Sequence, residues 1–196
     1  MQKAVFLDRD GTIIEEMGYI NHFSRIRILP GVVEAIQLFK EADYKIVVIT
    51  NQAGVARGYF TEQRLKEMHA YMLELFKERK AEIDRLYYCP HHPEGKVKAY
   101  AKTCSCRKPN TGMIDQAVSD LNIDLQQSYI IGDRETDIQL AVRLKMKGIF
   151  LLTGYGVGDY VSDPAVVKAE QCLVFNDLLQ AAQTIVHCQS ISKDVH

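Results

Sequence analysis

Short apolar runs that end abruptly in polar residues alternate with stretches of helical periodicity, and this recurrence restricts the fold more than any other feature. The first run, Ala4-Val5-Phe6-Leu7, is closed by Asp8-Arg9-Asp10-Gly11-Thr12. The later runs are Lys45 to Thr50, Leu86 to Cys89, Tyr129 to Gly132 and Ile149 to Leu152. Continuous apolar runs of this length are strands buried on both faces, as parallel sheets require. Between them, apolar residues recur at helical spacing: Val33, Ile36 and Phe39 after Pro30-Gly31, then Leu65, Met68, Met72, Leu73 and Phe76, then Met113, Ile114, Ala117, Val118 and Leu121. A last strand at Cys172–Phe175 and a helix from Leu178 to His187 complete the pattern, and Ser190 to His196 reads as a frayed tail. The prediction is one α/β domain over residues 1–189, built on a doubly wound, mostly parallel, Rossmann-like sheet with helices on both faces.

Composition excludes several classes of function. A net charge of −1 over 196 residues supplies no field to recruit nucleic acid or an anionic membrane. No segment approaches the length of a membrane span, and no charged-then-apolar signal opens the chain, so the expected setting is cytoplasmic. Five cysteines, an odd number in a chain of this kind, argue for metal binding, catalysis or core thiols rather than a disulfide scaffold. Cys172 and Cys188 lie in apolar stretches and are expected to be small core residues, and His69 is read as a partly buried helix residue rather than a ligand.

Ligands of open α/β sheets collect at the carboxyl ends of the strands. There this chain places Asp8 and Asp10, Thr50 and Asn51, and Asp133, with Asp137 in the first turn of the following helix. The i, i+2 spacing sets Asp8 and Asp10 on one side of an extended chain, and Gly11 permits the sharp turn that follows. Acids and hydroxyls converging on one rim can hold magnesium and act on phosphorus. Asp137 can serve as a helix cap or as a partner of that metal.

A second cluster is Cys89-Pro90-His91-His92-Pro93 with Cys104-Ser105-Cys106-Arg107-Lys108-Pro109. Three thiols and one imidazole form a Cys₃His set suited to tetrahedral zinc, with four ligands and no open position, hence a structural ion. From the residues alone, His91 and His92 are equivalent candidates. The cluster should pin a hairpin that aims Arg107 and Lys108 into the site.

Taken together, Asp8-Arg9-Asp10-Gly11-Thr12, Thr50, Lys108 and Gly132-Asp133 with Asp137 resemble the four signatures of the haloacid dehalogenase superfamily of phosphohydrolases. The likeness runs from about residue 4 to residue 155. Thr50-Asn51-Gln52-Ala53-Gly54-Val55-Ala56-Arg57-Gly58 and the two cysteine motifs resemble the histidinol-phosphatase and heptose-bisphosphatase group within it. The long span between the cysteine pairs favours a heptose bisphosphate, whereas the residues from Gly132 to Ala141 read more like the histidinol-phosphate branch.

The resemblance implies a set of roles. Asp8 is the nucleophile that forms an aspartyl-phosphate, Asp10 the general acid and base, and Thr50 and Lys108 bind the phosphoryl oxygens. Magnesium is held by Asp8, the backbone carbonyl of Asp10, and Asp133. Zinc is held by Cys89, His91, Cys104 and Cys106. The substrate, a small phosphorylated sugar or related phosphomonoester, contacts Glu16, Met17, Gly18, Tyr19, Asn51, Gln52, Ala53, Arg107 and Arg134. Arg107 is suited to a second anionic group, which a guanidinium grips bidentately. No insertion is long enough for a large cap domain, and a monomer is expected. A phospho-acceptor domain of receiver type carries its acceptor at strand three, where this chain has Cys89-Pro90-His91, so that alternative is disfavoured.

Overall fold

The computed structural model describes residues 1–167 and 172–193, with side chains to residue 165 and from 172 to 188. Six strands form one parallel sheet: β1 (Ala4–Leu7), β2 (Lys45–Asn51), β3 (Arg85–Cys89), β4 (Tyr129–Gly132), β5 (Lys147–Leu151) and β6 (Cys172–Phe175). Their order is β3-β2-β1-β4-β5-β6, so the winding direction reverses between β1 and β4. That reversal opens a crevice at the carboxyl ends of the two strands, because the connections leave on opposite sides there. Leu7 pairs with Val48 on one side and Ile131 on the other, which sets Asp8 beside the tips of β2 and β4.

Strand alternation divides the core in two. Val5, Leu7, Val48 and Ile131 face α1 (Val32–Glu41), α2 (Glu62–Glu78) and α6 (Leu178–Lys193). Ala4, Phe6, Val47, Ile49 and Ile130 face α3 (Gly112–Leu121) and α4 (Glu135–Leu144). A short helix, α5 (Gly156–Ser162), follows β5 and was not expected from the sequence. Its few apolar positions, Val157 and Val161, are exposed, so it carries no buried stripe that could have announced it.

The start of α2 follows from its capping residue. Thr61 Oγ1 accepts from the Arg64 amide at 3.1 Å and caps α2, whose buried face is Leu65, Met68, His69, Met72 and Phe76. Leu73 only packs partly against this core. The last helix continues past its expected end at His187 to Lys193, while residues 194–196 of the expected frayed tail lie outside the described part. Cys188 is exposed and Cys172 half-buried, so neither is the core residue expected. Residues 90–111 join β3 to α3 by turns without strands, so the expected hairpin is an irregular loop. Among the described residues no helix is long and apolar enough to cross a membrane.

Candidate active site and metal centres

The floor of the crevice is a buried charge cluster. Lys108 Nζ lies 2.8 Å from Asp8 Oδ1 and 2.7 Å from Asp137 Oδ1, and donates to the Ile49 carbonyl at 2.9 Å. Its three protons thus meet three oxygens. Asp8, Asp133 and Asp137 each offer an oxygen within 4.8 Å of the others. Burial and the neighbouring Asp8 charge push the Asp133 carboxyl up to about 8, although the Tyr155 amide, donating to its Oδ2 at 2.9 Å, pulls the other way. Burial likewise raises Asp137 to about 6, opposed by Lys108 and reinforced by Asp8. Burial pushes Lys108 down, but Asp137 and Asp8 overcome it and hold the ammonium above the ordinary lysine range. With all three carboxylates ionised, one ammonium leaves an excess of two negative charges, and this repulsion is part of what raises Asp133 and Asp137. That excess and the oxygen donor set fit a divalent hard cation.

Backbone geometry makes this crowding possible. Gly11 sits at φ +76, and a Cβ there would run into the Asp133 carboxylate. At Gly132 a Cβ would meet the Asp137 carboxylate. Asp137 takes the capping role foreseen for it, since Oδ2 accepts from the Arg134 amide at 3.2 Å at the start of α4, and its Oδ1 also accepts from Lys108 at 2.7 Å. Asn51 has a bracing role that the sequence did not announce: its amide donates to the Lys108 carbonyl at 3.1 Å and its Oδ1 accepts from the Lys108 amide at 3.0 Å, while the residue also lines the pocket that opens above the floor.

The Asp10 side chain has partners of its own. Arg9 Nη2 lies 2.8 Å from both of its oxygens and Nε 3.1 Å, and Gln52 Nε2 donates to Oδ2 at 2.8 Å. Gln52 also donates to Thr50 Oγ1 at 2.8 Å, tying the tip of β2 to Asp10.

Above the floor opens a pocket of about 360 Å³ lined by Asp8, Asp10, Glu16, Gly18, Tyr19, Thr50, Asn51, Gln52, Ala53, Arg107, Lys108 and Arg134. Glu16 faces the acids, and burial followed by the Asp10 and Asp8 charges raises its carboxyl. Arg107 donates to the His91 carbonyl at 3.3 Å. Arg134 stacks on the Tyr155 ring at 4.3 Å and pairs with Asp159 at 3.3 Å.

The thiol cluster assembles beside this rim. Cys89 Sγ is 3.4 Å from Cys104 Sγ, which is 3.3 Å from Cys106 Sγ. His91 Nδ1 is 3.4 Å from Cys106 Sγ and 3.8 Å from Cys89 Sγ. Tetrahedral zinc with bonds near 2.3 Å to sulfur spaces its donors about 3.5–3.8 Å apart, so these four atoms fit that ion. His92 is occupied elsewhere, with Nδ1 accepting from the Glu94 amide at 3.2 Å, and geometry thus selects His91.

Comparison with known proteins gives one answer. Residues 105–181 match the model of the HAD-hydrolase-like family. The D-glycero-β-D-manno-heptose-1,7-bisphosphate 7-phosphatase of Haemophilus influenzae is 39% identical over 174 residues, 85% of this chain and 94% of that protein. The chain belongs to the heptose-bisphosphate phosphatase family of HAD-like hydrolases. The Escherichia coli K12 enzyme of the same name is 42% identical over 139 residues, 71% of this chain and 73% of that protein. The D,D-heptose 1,7-bisphosphate phosphatase of B. bronchiseptica, crystallised with magnesium and phosphate, superimposes with a TM-score of 0.83 at 27% identity, covering 95% of this chain and 99% of that one.

This phosphatase brings together nearly all the residues singled out from its sequence, with one exception. Met17 does not line the pocket: its side chain packs on the core and its carbonyl accepts from Arg25 at 2.5 Å. The local chain reverses at Gly18, φ +72, so Glu16 and Tyr19 reach the rim while Met17 between them turns inward. Sequence reasoning also missed Gly54, Thr136 and Tyr155 in the lining, and Arg9 behind Asp10. The Tyr155 signal was available, since Thr153-Gly154-Tyr155 follows a strand tip as Asp8 and Asp133 do.

Proposed function

We propose that the protein removes the 7-phosphate of D-glycero-D-manno-heptose 1,7-bisphosphate through a phospho-Asp8 intermediate. The observation that carries this reading is the Asp8–Lys108–Asp137 ion-paired floor under a pocket rimmed by two guanidiniums, Arg107 and Arg134. One phosphoryl group reaches the floor, and the second phosphate of a bisphosphate meets the arginines at the mouth.

Asp8 attacks phosphorus in line, forming the Asp8 O–P bond as the P–O bond to the sugar breaks. Asp10, which lines the same pocket, gives its proton to the departing sugar oxygen and then takes one from the water that hydrolyses phospho-Asp8. Lys108 neutralises charge on the phosphoryl oxygens and orients Asp8, a contribution of about two to three decades in rate. The Thr50 hydroxyl donates to the same oxygens, positioned through Gln52. Asp8, the Asp10 backbone carbonyl and Asp133 would hold magnesium, with Asp137 beside them. When bound, the ion supplies charge neutralisation for nucleophile and phosphoryl group together. Cys89, His91, Cys104 and Cys106 would hold a structural zinc that fixes the loop leading into Arg107 and Lys108. In this reading the protein is a cytoplasmic monomer without nucleic-acid or membrane partners.

The test is phosphate release from heptose 1,7-bisphosphate and from histidinol phosphate, compared as kcat/KM, with ³¹P NMR to identify the ester cleaved. The expected result is at least a tenfold preference for the bisphosphate and loss of its 7-phosphate. Preference for histidinol phosphate overturns the substrate assignment, and absence of steady turnover on both overturns the hydrolase reading.

A further inference from the structure

His69 is buried in α2, 5% exposed, and no step above uses it. Its Nε2 lies 3.0 Å from Arg9 Nη1. A guanidinium donates and cannot accept, so at this distance Nε2 must be the unprotonated, accepting nitrogen, and the ring proton resides on Nδ1. That Nδ1 is buried with no hydrogen-bond partner among the described residues, and the ring meets Tyr88 edge-on at 5.3 Å. A histidine whose only polar side-chain bond among the described residues is to Arg9, and whose other nitrogen is stranded, is poorly explained as packing alone, since an apolar side chain would fill the site without stranding a donor. Burial, followed by the Arg9 charge, holds its pKa well below the ordinary histidine value, which keeps the ring in the neutral form the geometry requires.

Arg9 is itself only 3% exposed, and its remaining nitrogens lie on both oxygens of Asp10. We infer that His69 is a positioning residue for the reaction: by accepting from Arg9 Nη1 it fixes the guanidinium plane that aims the Asp10 carboxylate at the leaving group. This rests on the assignment of Asp10 as general acid. His69 touches neither substrate nor metal and acts through Arg9. Holding a catalytic group in line matters because rate falls steeply with misplacement of the reacting atoms.

The test compares His69→Met with His69→Gln, nearly isosteric side chains of which the amide offers an oxygen to Arg9 and the thioether only a weak acceptor. Each is assayed on a sugar phosphate and on p-nitrophenyl phosphate, whose aryl leaving group needs no proton. The readout is kcat/KM, which reports the steps up to cleavage of the ester and not the hydrolysis of phospho-Asp8 that both substrates share: for His69→Met it should fall about tenfold on the sugar phosphate and stay within about twofold on the aryl ester. His69→Gln should recover most of the loss. Equal losses on both esters, or a Gln variant as impaired as the Met variant, would overturn the inference. Asp10→Asn serves as the control: if it too is indifferent to the leaving group, the acid assignment fails, whereas a leaving-group effect in Asp10→Asn but not in His69→Met rejects His69 alone. In the wild-type protein, ¹⁵N NMR should show an unprotonated Nε2 on His69, and a proton found there also defeats the proposal.

Discussion

The side chain of Asn51 grips Lys108 by its backbone, donating to the carbonyl at 3.1 Å and accepting from the amide at 3.0 Å. One residue at the tip of β2 thereby fixes the start of a lysine side chain delivered from a loop 57 positions later. Removing it frees both backbone groups, a loss of about 1–3 kcal/mol for polar groups left without partners. Asn51→Ala should therefore lower kcat about ten- to a hundredfold through a displaced ammonium while KM changes little. A rise in KM at constant kcat would instead mean that the amide binds substrate directly.

Arg107 and Arg134 line the pocket, and in the proposed function they hold the second phosphate of the substrate. Arg107→Ala should reduce kcat/KM for the heptose bisphosphate about 10- to 100-fold, a charge-assisted contact of about 1.5–3 kcal/mol, and mostly through KM. The corresponding heptose monophosphate should lose far less. Equal losses on the two substrates would remove Arg107 from recognition of the second phosphate.

The four thiol and imidazole donors lie beside the loop that carries Arg107 and Lys108, and Asn110 Nδ2 donates to the Cys104 carbonyl at 2.8 Å. In a Cys104→Ser/Cys106→Ser protein shown to be free of zinc by elemental analysis, turnover should fall at least tenfold, because Lys108 is no longer aimed at the site. Magnesium affinity, measured by calorimetry, should survive. Full activity in that protein would refute the mechanical role of the cluster.

Burial and Arg9 depress the His69 pKa well below its ordinary 6.5. At His69 the folded protein therefore binds fewer protons than the unfolded chain below about pH 6.5, so the contribution of this group to stability rises with pH up to that value. The slope for one proton is at most about 1.4 kcal/mol per pH unit. Chemical denaturation from pH 5 to 7.5 should show wild-type losing stability on acidification relative to His69→Gln, and parallel curves would exclude a neutral buried His69.

Strand and helix placement was legible because each element is short, continuously patterned and buried, so local periodicity and tertiary burial agree. The acids at the ends of Ala4–Leu7 and Tyr129–Gly132 were legible for the same reason: a strand tip fixes where the next residue lies. What a side chain does once there was less visible. Asn51 was read as a substrate contact, and its grip on the backbone of Lys108 was not visible, while Met17, between two pocket residues, packs on the core.

The sequence by itself determined the alternating α/β order, the sites where carboxylates and thiols concentrate, and the ligand chemistry those residues permit. Only the tertiary structure decided that Lys108 lies between Asp8 and Asp137, that Asn51 holds the Lys108 backbone, and that Arg9 joins Asp10 to His69. The reason is physical. Periodicity and residue type are local properties, whereas those contacts span loops whose course is set by which buried polar groups find partners.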